Sequence, residues 1–201
     1  MPPHRVYIES HLGGGAILRS KKPAPISYAI DADPRVIGNF RQNHSSLAEY
    51  QEMDAVEFLK AYQFSGDELV YSDPPYPKST RLKQKIYRCE YEDADHEELL
   101  ETLISLPCQV MVSSYENTLY SSMLKGWNEV KFPNKTQTGI RIESLWTNYP
   151  KPKEVHDTRY LGGTFRERQT IRRKQERLRN KISALPTYER QALFEWISEA
   201  Y

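Results

Sequence analysis

Leu69-Val70-Tyr71-Ser72-Asp73-Pro74-Pro75-Tyr76 decides how the rest of the chain is read. The apolar run Leu69 to Tyr71 predicts a short buried strand. Pro74 and Pro75 cannot donate to a sheet ladder, and each disfavours helix at the residue before it. The strand therefore stops at Asp73, and a stiff turn carries a carboxylate and an aromatic ring from its carboxyl end. In open α/β sheets, ligands bind at that edge. Such a turn suits recognition of an exocyclic amine on a flat ring. The amine has two hydrogens: the Asp73 carboxylate accepts one, and the Pro74 carbonyl, held by its fixed φ, accepts the other. Tyr76 can stack on the ring, a contact worth about 1–3 kcal/mol. A proline-stiffened surface turn is the plainer reading, and the upstream residues weigh against it.

Upstream, Arg5 to Glu9 predicts a first strand, followed by the glycine-rich turn Ser10-His11-Leu12-Gly13-Gly14-Gly15 and a helix. Glycines there permit positive φ and close backbone approach to a ligand. Ile26 to Ile30 predicts a second strand ending in Asp31-Ala32-Asp33-Pro34. An acid at that point, ~20 residues past the glycines, is where a ribose hydroxyl is held. Asp33 precedes a proline at the first helical position and so reads as an N-cap, which leaves Asp31 for the ribose. The helix is expected from Pro34 to Asn43. Asp54 either caps a helix from Ala55 to Tyr62 or points into a cofactor pocket. Ser65-Gly66-Asp67 is a turn into the Asp73 strand.

Downstream, residues 77–93 form a long hydrophilic run with Lys78, Arg81, Lys83, Lys85 and Arg88 interleaved with tyrosines. That mixture suits a nucleic-acid strand, and it suits an exposed loop equally. Asp95 to Leu106 has helical spacing, with Asp95 as cap and Glu98 in the capping-box position. Gln109 to Ser113 predicts a buried strand, Asn117 to Lys125 a helix, and Glu129 to Phe132 with Ile140 to Tyr149 an edge hairpin. Trp146 and Cys108 read as core side chains. After Pro150-Lys151-Pro152 the composition changes. Arg159 to Lys181 holds 9 basic and 2 acidic residues. A helix is expected from Thr164, a break at Leu185-Pro186, and a second helix from Thr187 to Tyr201.

Charge follows this division. Residues 151–201 carry 12 Lys/Arg against 7 Asp/Glu, and residues 1–150 carry 16 against 20, within a total of +1. A basic tail on a mildly acidic body predicts a local phosphate contact rather than a general polyanion binder. The 201-residue length suits one main domain, expected over 1–150, with a helical extension over 151–201. Two cysteines make no disulfide framework and indicate a reduced, intracellular protein. The five histidines lack ligand spacing, so no metal is expected. No signal peptide or membrane-length apolar run is present, so no membrane partner is expected.

The order glycine loop, acid after strand two, Asp-Pro-Pro-Tyr after strand four resembles the α-group, Dam-like N6-adenine DNA methyltransferases. The resemblance runs from about Val6 to Tyr149 and includes the Glu143-Ser-Leu-Trp-Thr-Asn-Tyr149 ending. It implies a Rossmann-like α/β fold, a mostly parallel sheet with an antiparallel edge hairpin, and a C-terminal helical extension. It implies S-adenosylmethionine as cofactor, with Glu9 and Gly13, Gly14 and Gly15 around its methionine part, Asp31 on its ribose and Asp54 on its adenine amine. It makes Asp73, Pro74 and Tyr76 the catalytic set, acting on an adenine flipped from DNA. Pro75, Lys78, Arg81, Arg172, Arg173 and Lys174 are the expected substrate contacts. The implied setting is a bacterial or phage cytoplasm, in restriction–modification, phage protection or an orphan role.

Three departures from the family pattern stand out. Ser10 and His11 occupy the places of Pro and Phe beside the glycine loop. A Gly-Gly-Lys segment normally precedes strand one, whereas this chain begins almost at that strand. Only about a dozen residues separate Leu59 from Asp73, where the family inserts a target-recognition region. Sequence reading is then left to residues 77–93, the basic tail or a partner. RNA adenine or cytosine N4 as substrate, and a truncated, non-catalytic nucleic-acid-binding relative, are the competing expectations.

Overall fold

The computed structural model describes residues 1–80, 88–136 and 139–200. The chain divides into two compact units, Met1–His156 and Asp157–Tyr201.

The first unit is built on seven strands: β1 (Val6–Glu9), β2 (Ile26–Asp31), β3 (Glu49–Glu52), β4 (Glu68–Ser72), β5 (Gln109–Tyr115), β6 (Asn128–Thr136) and β7 (Gly139–Thr147). They lie in the order β3-β2-β1-β4-β5-β7-β6. Pairing is parallel from β3 through β5, and β7 runs antiparallel to both β5 and β6. Strand order reverses between β1 and β4, so the crevice at their carboxyl ends is the ligand position of this architecture.

The strand residues alternate between two cores. Val6, Ile8 and Val70 face one side with helices α3 (Ala55–Ala61), α4 (Asp93–Ser105) and α5 (Thr118–Met123). Tyr7, Leu69 and Tyr71 face the other with α1 (Ala16–Ser20) and α2 (Pro34–Asn43). Near-continuous burial along β1 and β4 is what a sheet covered on both faces requires. Trp146 and Cys108 are core residues, 2% and 8% exposed, as their sequence positions indicated.

The cap of α4 differs from the expectation. Glu92 is the N-cap and Asp95 answers it from the third helical position, so the capping box sits three residues earlier than Asp95 and Glu98 would place it. The Asp95 side chain accepts from the Glu92 N–H at 2.8 Å. The hairpin is also longer than expected, reaching Thr136 and Gly139.

The second unit contains a single 3₁₀ turn at Thr158–Tyr160, then α6 (Phe165–Ser183) and α7 (Thr187–Ala200). Thr164 caps α6 in a reciprocal box with Glu167. Neither helix buries a residue, and Phe194 and Trp196 are 71% and 57% exposed. Among the described residues no helix is long and apolar enough to cross a membrane, and no group of three or more His, Cys, Asp or Glu is placed to hold a metal ion.

Candidate active site

The carboxyl ends of β1, β2 and β4 open into a cleft bounded by Ser10, His11, Gly13, Asp31, Asp54, Asp73, Pro75 and Tyr91.

The glycine turn after β1 is shaped by two left-handed residues, Gly13 at φ 46° and Gly15 at φ 57°. Gly15 is the one that nothing larger can replace. A Cβ there would lie 2.4 Å from Cζ of Phe40, a core ring. Asp31 locks this turn: its Oδ2 accepts from Gly13 N–H at 2.8 Å and its Oδ1 from Asp33 N–H at 2.9 Å. A carboxylate has roughly four lone-pair positions, so both oxygens retain capacity for ribose hydroxyls. Asp33 caps α2 through Arg35 N–H at 2.9 Å, and its second oxygen lies 3.7 Å from Nε of Arg88.

Asp54 caps a helix and also borders the cleft. Oδ1 caps α3, accepting from Val56 and Glu57 N–H at 2.7 and 3.1 Å. The residue also lines the cleft, and Oδ2 takes no hydrogen bond among the described residues.

Glu9 ends β1 and is 2% exposed. It accepts the Tyr7 hydroxyl at 2.8 Å, and the Lys21 ammonium lies 4.1 Å above the Tyr7 ring. Desolvation by burial pushes the Glu9 carboxyl up to about 7, with the hydroxyl opposing and the Asp73 charge assisting. Asp73 follows the end of β4. Burial raises it to about 6, against the hydrogen bond from Ser113. Ser113 on β5, 1% exposed, donates to Asp73 Oδ1 at 2.9 Å, and the Tyr71 hydroxyl lies 3.1 Å behind it. Ser113 thus holds Asp73 through Oδ1, and the Tyr76 and Tyr71 hydroxyls also support its carboxylate. Pro74 is buried and Pro75 half-buried on the cleft wall.

Tyr76 is held at both ends. Its hydroxyl donates to Glu143 Oε1 at 2.9 Å, and its ring meets Tyr115 edge-on with centroids 4.4 Å apart. Glu143, on β7 and 7% exposed, also accepts from Asn134 Nδ2 at 2.6 Å. The Tyr76 hydroxyl is held far above its ordinary ionisation by burial and by the Asp73 and Glu143 charges, so it stays a donor.

His11, in the place where the resembled family has Phe, is a hydrogen-bond hub. Nδ1 lies 3.0 Å from Ser10 Oγ and 3.3 Å from Ser72 Oγ, and Nε2 lies 3.0 Å from the Tyr91 hydroxyl. Burial lowers its pKa to about 3, so the ring is neutral. Sequence reading missed Ser113, Glu143 and Tyr91, because each meets its partner across at least 40 residues.

Of the expected substrate contacts, Lys78 is ion-paired with Glu92. Arg172, Arg173 and Lys174 are exposed on α6 in the second unit. Arg81 lies outside the described residues.

No protein-family profile and no curated protein sequence matches the chain. Solved structures do. An rRNA methylase from Streptococcus thermophilus superposes with a TM-score of 0.51 at 12% identity, over 75% of this chain and 91% of that one. The N-methyltransferase NodS from Bradyrhizobium japonicum, solved with S-adenosyl-L-homocysteine, superposes with a TM-score of 0.51 at 12% identity, over 73% and 79%. With the strand order above, these similarities establish that the chain has the Rossmann-like α/β fold of the methyltransferases.

Proposed function

We propose that this chain transfers a methyl group from S-adenosylmethionine to the N6 amine of a flipped adenine in DNA, and that it is a Dam-like N6-adenine methyltransferase. The observation that carries the reading is Asp73: a half-buried carboxylate at the carboxyl edge of β4, held by Ser113 and followed by Pro-Pro-Tyr. It faces the same cleft as Gly13, Asp31 and Asp54.

The cleft fits the proposed cofactor chemically. Its lining carries Asp31, Asp54 and Asp73, with Glu9 buried at the end of β1, and acids suit a ligand with a sulfonium and an ammonium. The Gly15 turn leaves no room for a side chain against Phe40 and so keeps the backbone low. Asp31 would take the ribose hydroxyls, Asp54 Oδ2 the adenine amine, and Glu9 with the glycine turn the methionine end. When bound, S-adenosylmethionine supplies a methyl group on positively charged sulfur that an amine displaces in one step.

The chain's own residues orient that amine. Asp73 Oδ2 and the Pro74 carbonyl accept its two hydrogens, which aims the nitrogen lone pair away from them. During transfer, positive charge would develop on the amine nitrogen beside Asp73. A preformed carboxylate in a desolvated site stabilises that charge without reorganising. The proton then leaves the amine, and a carboxyl poised near 6 can receive it before passing it to solvent. Holding both reactants in line supplies much of the remaining acceleration. A base inside a duplex cannot reach the cleft, so it must rotate out, at a cost of a few kcal/mol. The basic α6 would hold backbone phosphates.

The deciding experiment is transfer of labelled methyl to unmethylated DNA, with the nucleosides resolved afterward. N6-methyladenine is expected from the wild type, and none from Asp73→Ala, whose cofactor affinity stays within a few-fold. Transfer by Asp73→Ala at near wild-type rate would overturn the role of the carboxylate. The same run on RNA assigns the polymer, and the identity of the methylated nucleoside separates adenine N6 from cytosine N4.

A further inference from the structure

The β6–β7 hairpin is longer than the sheet it belongs to. Strand β5 ends at Tyr115, opposite Glu143 of β7. Beyond that point four residue pairs, Pro133↔Ile142, Asn134↔Arg141, Lys135↔Ile140 and Thr136↔Gly139, continue the β6–β7 ladder. At about 3.4 Å per residue the ladder runs on for about 13 Å past β5. The direction matters: Tyr115 is the carboxyl end of β5, and β5 runs parallel to β4. The hairpin therefore projects from the edge that carries Asp73 and Tyr76. It is tied there by Tyr76 to Glu143 and by Arg141, which donates to the Thr80 carbonyl and stands 5.2 Å from the Tyr115 ring.

The two faces of the overhang differ. Directly paired residues share a face. Asn134, Arg141 and Glu143 lie on the face bonded to the Asp-Pro-Pro-Tyr turn. Ile140, Ile142, Pro133 and Lys135 lie on the other, where Ile140 is 74% exposed and Ile142 46%. Residues 133–142 include two cations and no acid. Two exposed isoleucines on a cationic projection, next to a site that must receive a base from a stacked duplex, have the composition of the side-chain wedges that enter opened base steps.

We propose that the outer hairpin is the duplex-opening wedge, with Ile140 and Ile142 entering the stack beside the flipped nucleotide. This rests on the methyltransferase reading above. It also places a duplex contact in the chain without a recognition insert between Leu59 and Asp73.

The test compares two substrates. Ile140→Thr with Ile142→Thr keeps β-branched residues, and so strand preference, while removing the apolar reach. Wild type and variant are given the same target as duplex DNA and as single-stranded DNA. The variant should lose about tenfold or more on the duplex and stay within about twofold on the single strand, because only the duplex needs opening. A second variant, Ile140→Leu with Ile142→Leu, should restore most of the duplex rate. Equal losses on both substrates, or an undiminished duplex rate, would overturn the wedge while leaving the methyltransferase reading intact. No transfer by the wild type to either substrate would overturn both.

Discussion

Under the proposed function, buried Glu9 would set the pH response of cofactor binding. Its carboxyl rises from 4.5 to about 7, chiefly through desolvation. Below the raised value the folded protein holds a proton there, and the negative charge that an ammonium needs is absent. Affinity for S-adenosylhomocysteine, whose sulfur is neutral, should therefore increase as pH rises through about 7 and then level off. Titration calorimetry between about pH 6 and 8 checks this, and Glu9→Gln should abolish the dependence. The same shift works against the fold. Between 4.5 and about 7 the native state binds a proton that the unfolded chain has released, so stability falls as pH rises across that window. Asp73, raised to about 6, adds to the fall in the same direction. Function and stability thus pull this pair of carboxyls in opposite senses.

At the scale of an element, the glycine turn is the most exacting stretch of the first unit. Gly13 and Gly15 both have positive φ, yet only Gly15 is also closed off by Phe40. Gly15→Ala should cost about 2–4 kcal/mol, combining left-handed strain with overpacking of a core ring. Gly13→Ala, with nothing within 4 Å of its added Cβ, should cost only about 1–2 kcal/mol. Denaturant midpoints of the two variants measure the difference. This turn was legible in advance, as were β1, β2, β4, β5 and α2, because each has an apolar run or a cap with unambiguous neighbours. Strand β3 was not. Glu49-Tyr50-Gln51-Glu52 has one apolar residue, and it became a strand through parallel pairing with β2 and the Arg41 side chain on the Tyr50 carbonyl. The start of α4 was misplaced because Glu92, Asp95 and Glu98 lie three apart and each pair fits the box. The outer hairpin carries no core-facing pattern, so nothing in its sequence marks where the ladder ends. Of the site, Asp31 and Asp73 could be picked out from their positions after apolar strands. Ser113, Glu143 and the His11–Tyr91 contact depend on which residues of distant elements come level, and register is a property of the assembled sheet.

Over the whole molecule, charge is divided as the elements are. Helix α6 of the second unit carries eight basic residues against two acids, and Arg172, Arg173 and Lys174 on it are exposed. Replacing the three with Gln should weaken DNA binding and reduce the slope of log affinity against log salt by up to about 0.9 per lost phosphate contact. Fluorescence anisotropy across a salt series measures that slope, and an unchanged slope would remove α6 from the interface.

The three tryptophans fall unevenly across the two units. Trp146 is sealed in the core and Trp127 packs against it, both in the first unit, while Trp196 is exposed in the second. The chain therefore carries its own spectroscopic labels. Blue-shifted emission reports the sheet core that positions Asp73, and quencher-accessible emission reports α7. With Trp196→Phe the remaining signal belongs to the first unit alone, so its unfolding can be followed without a dye or a tag.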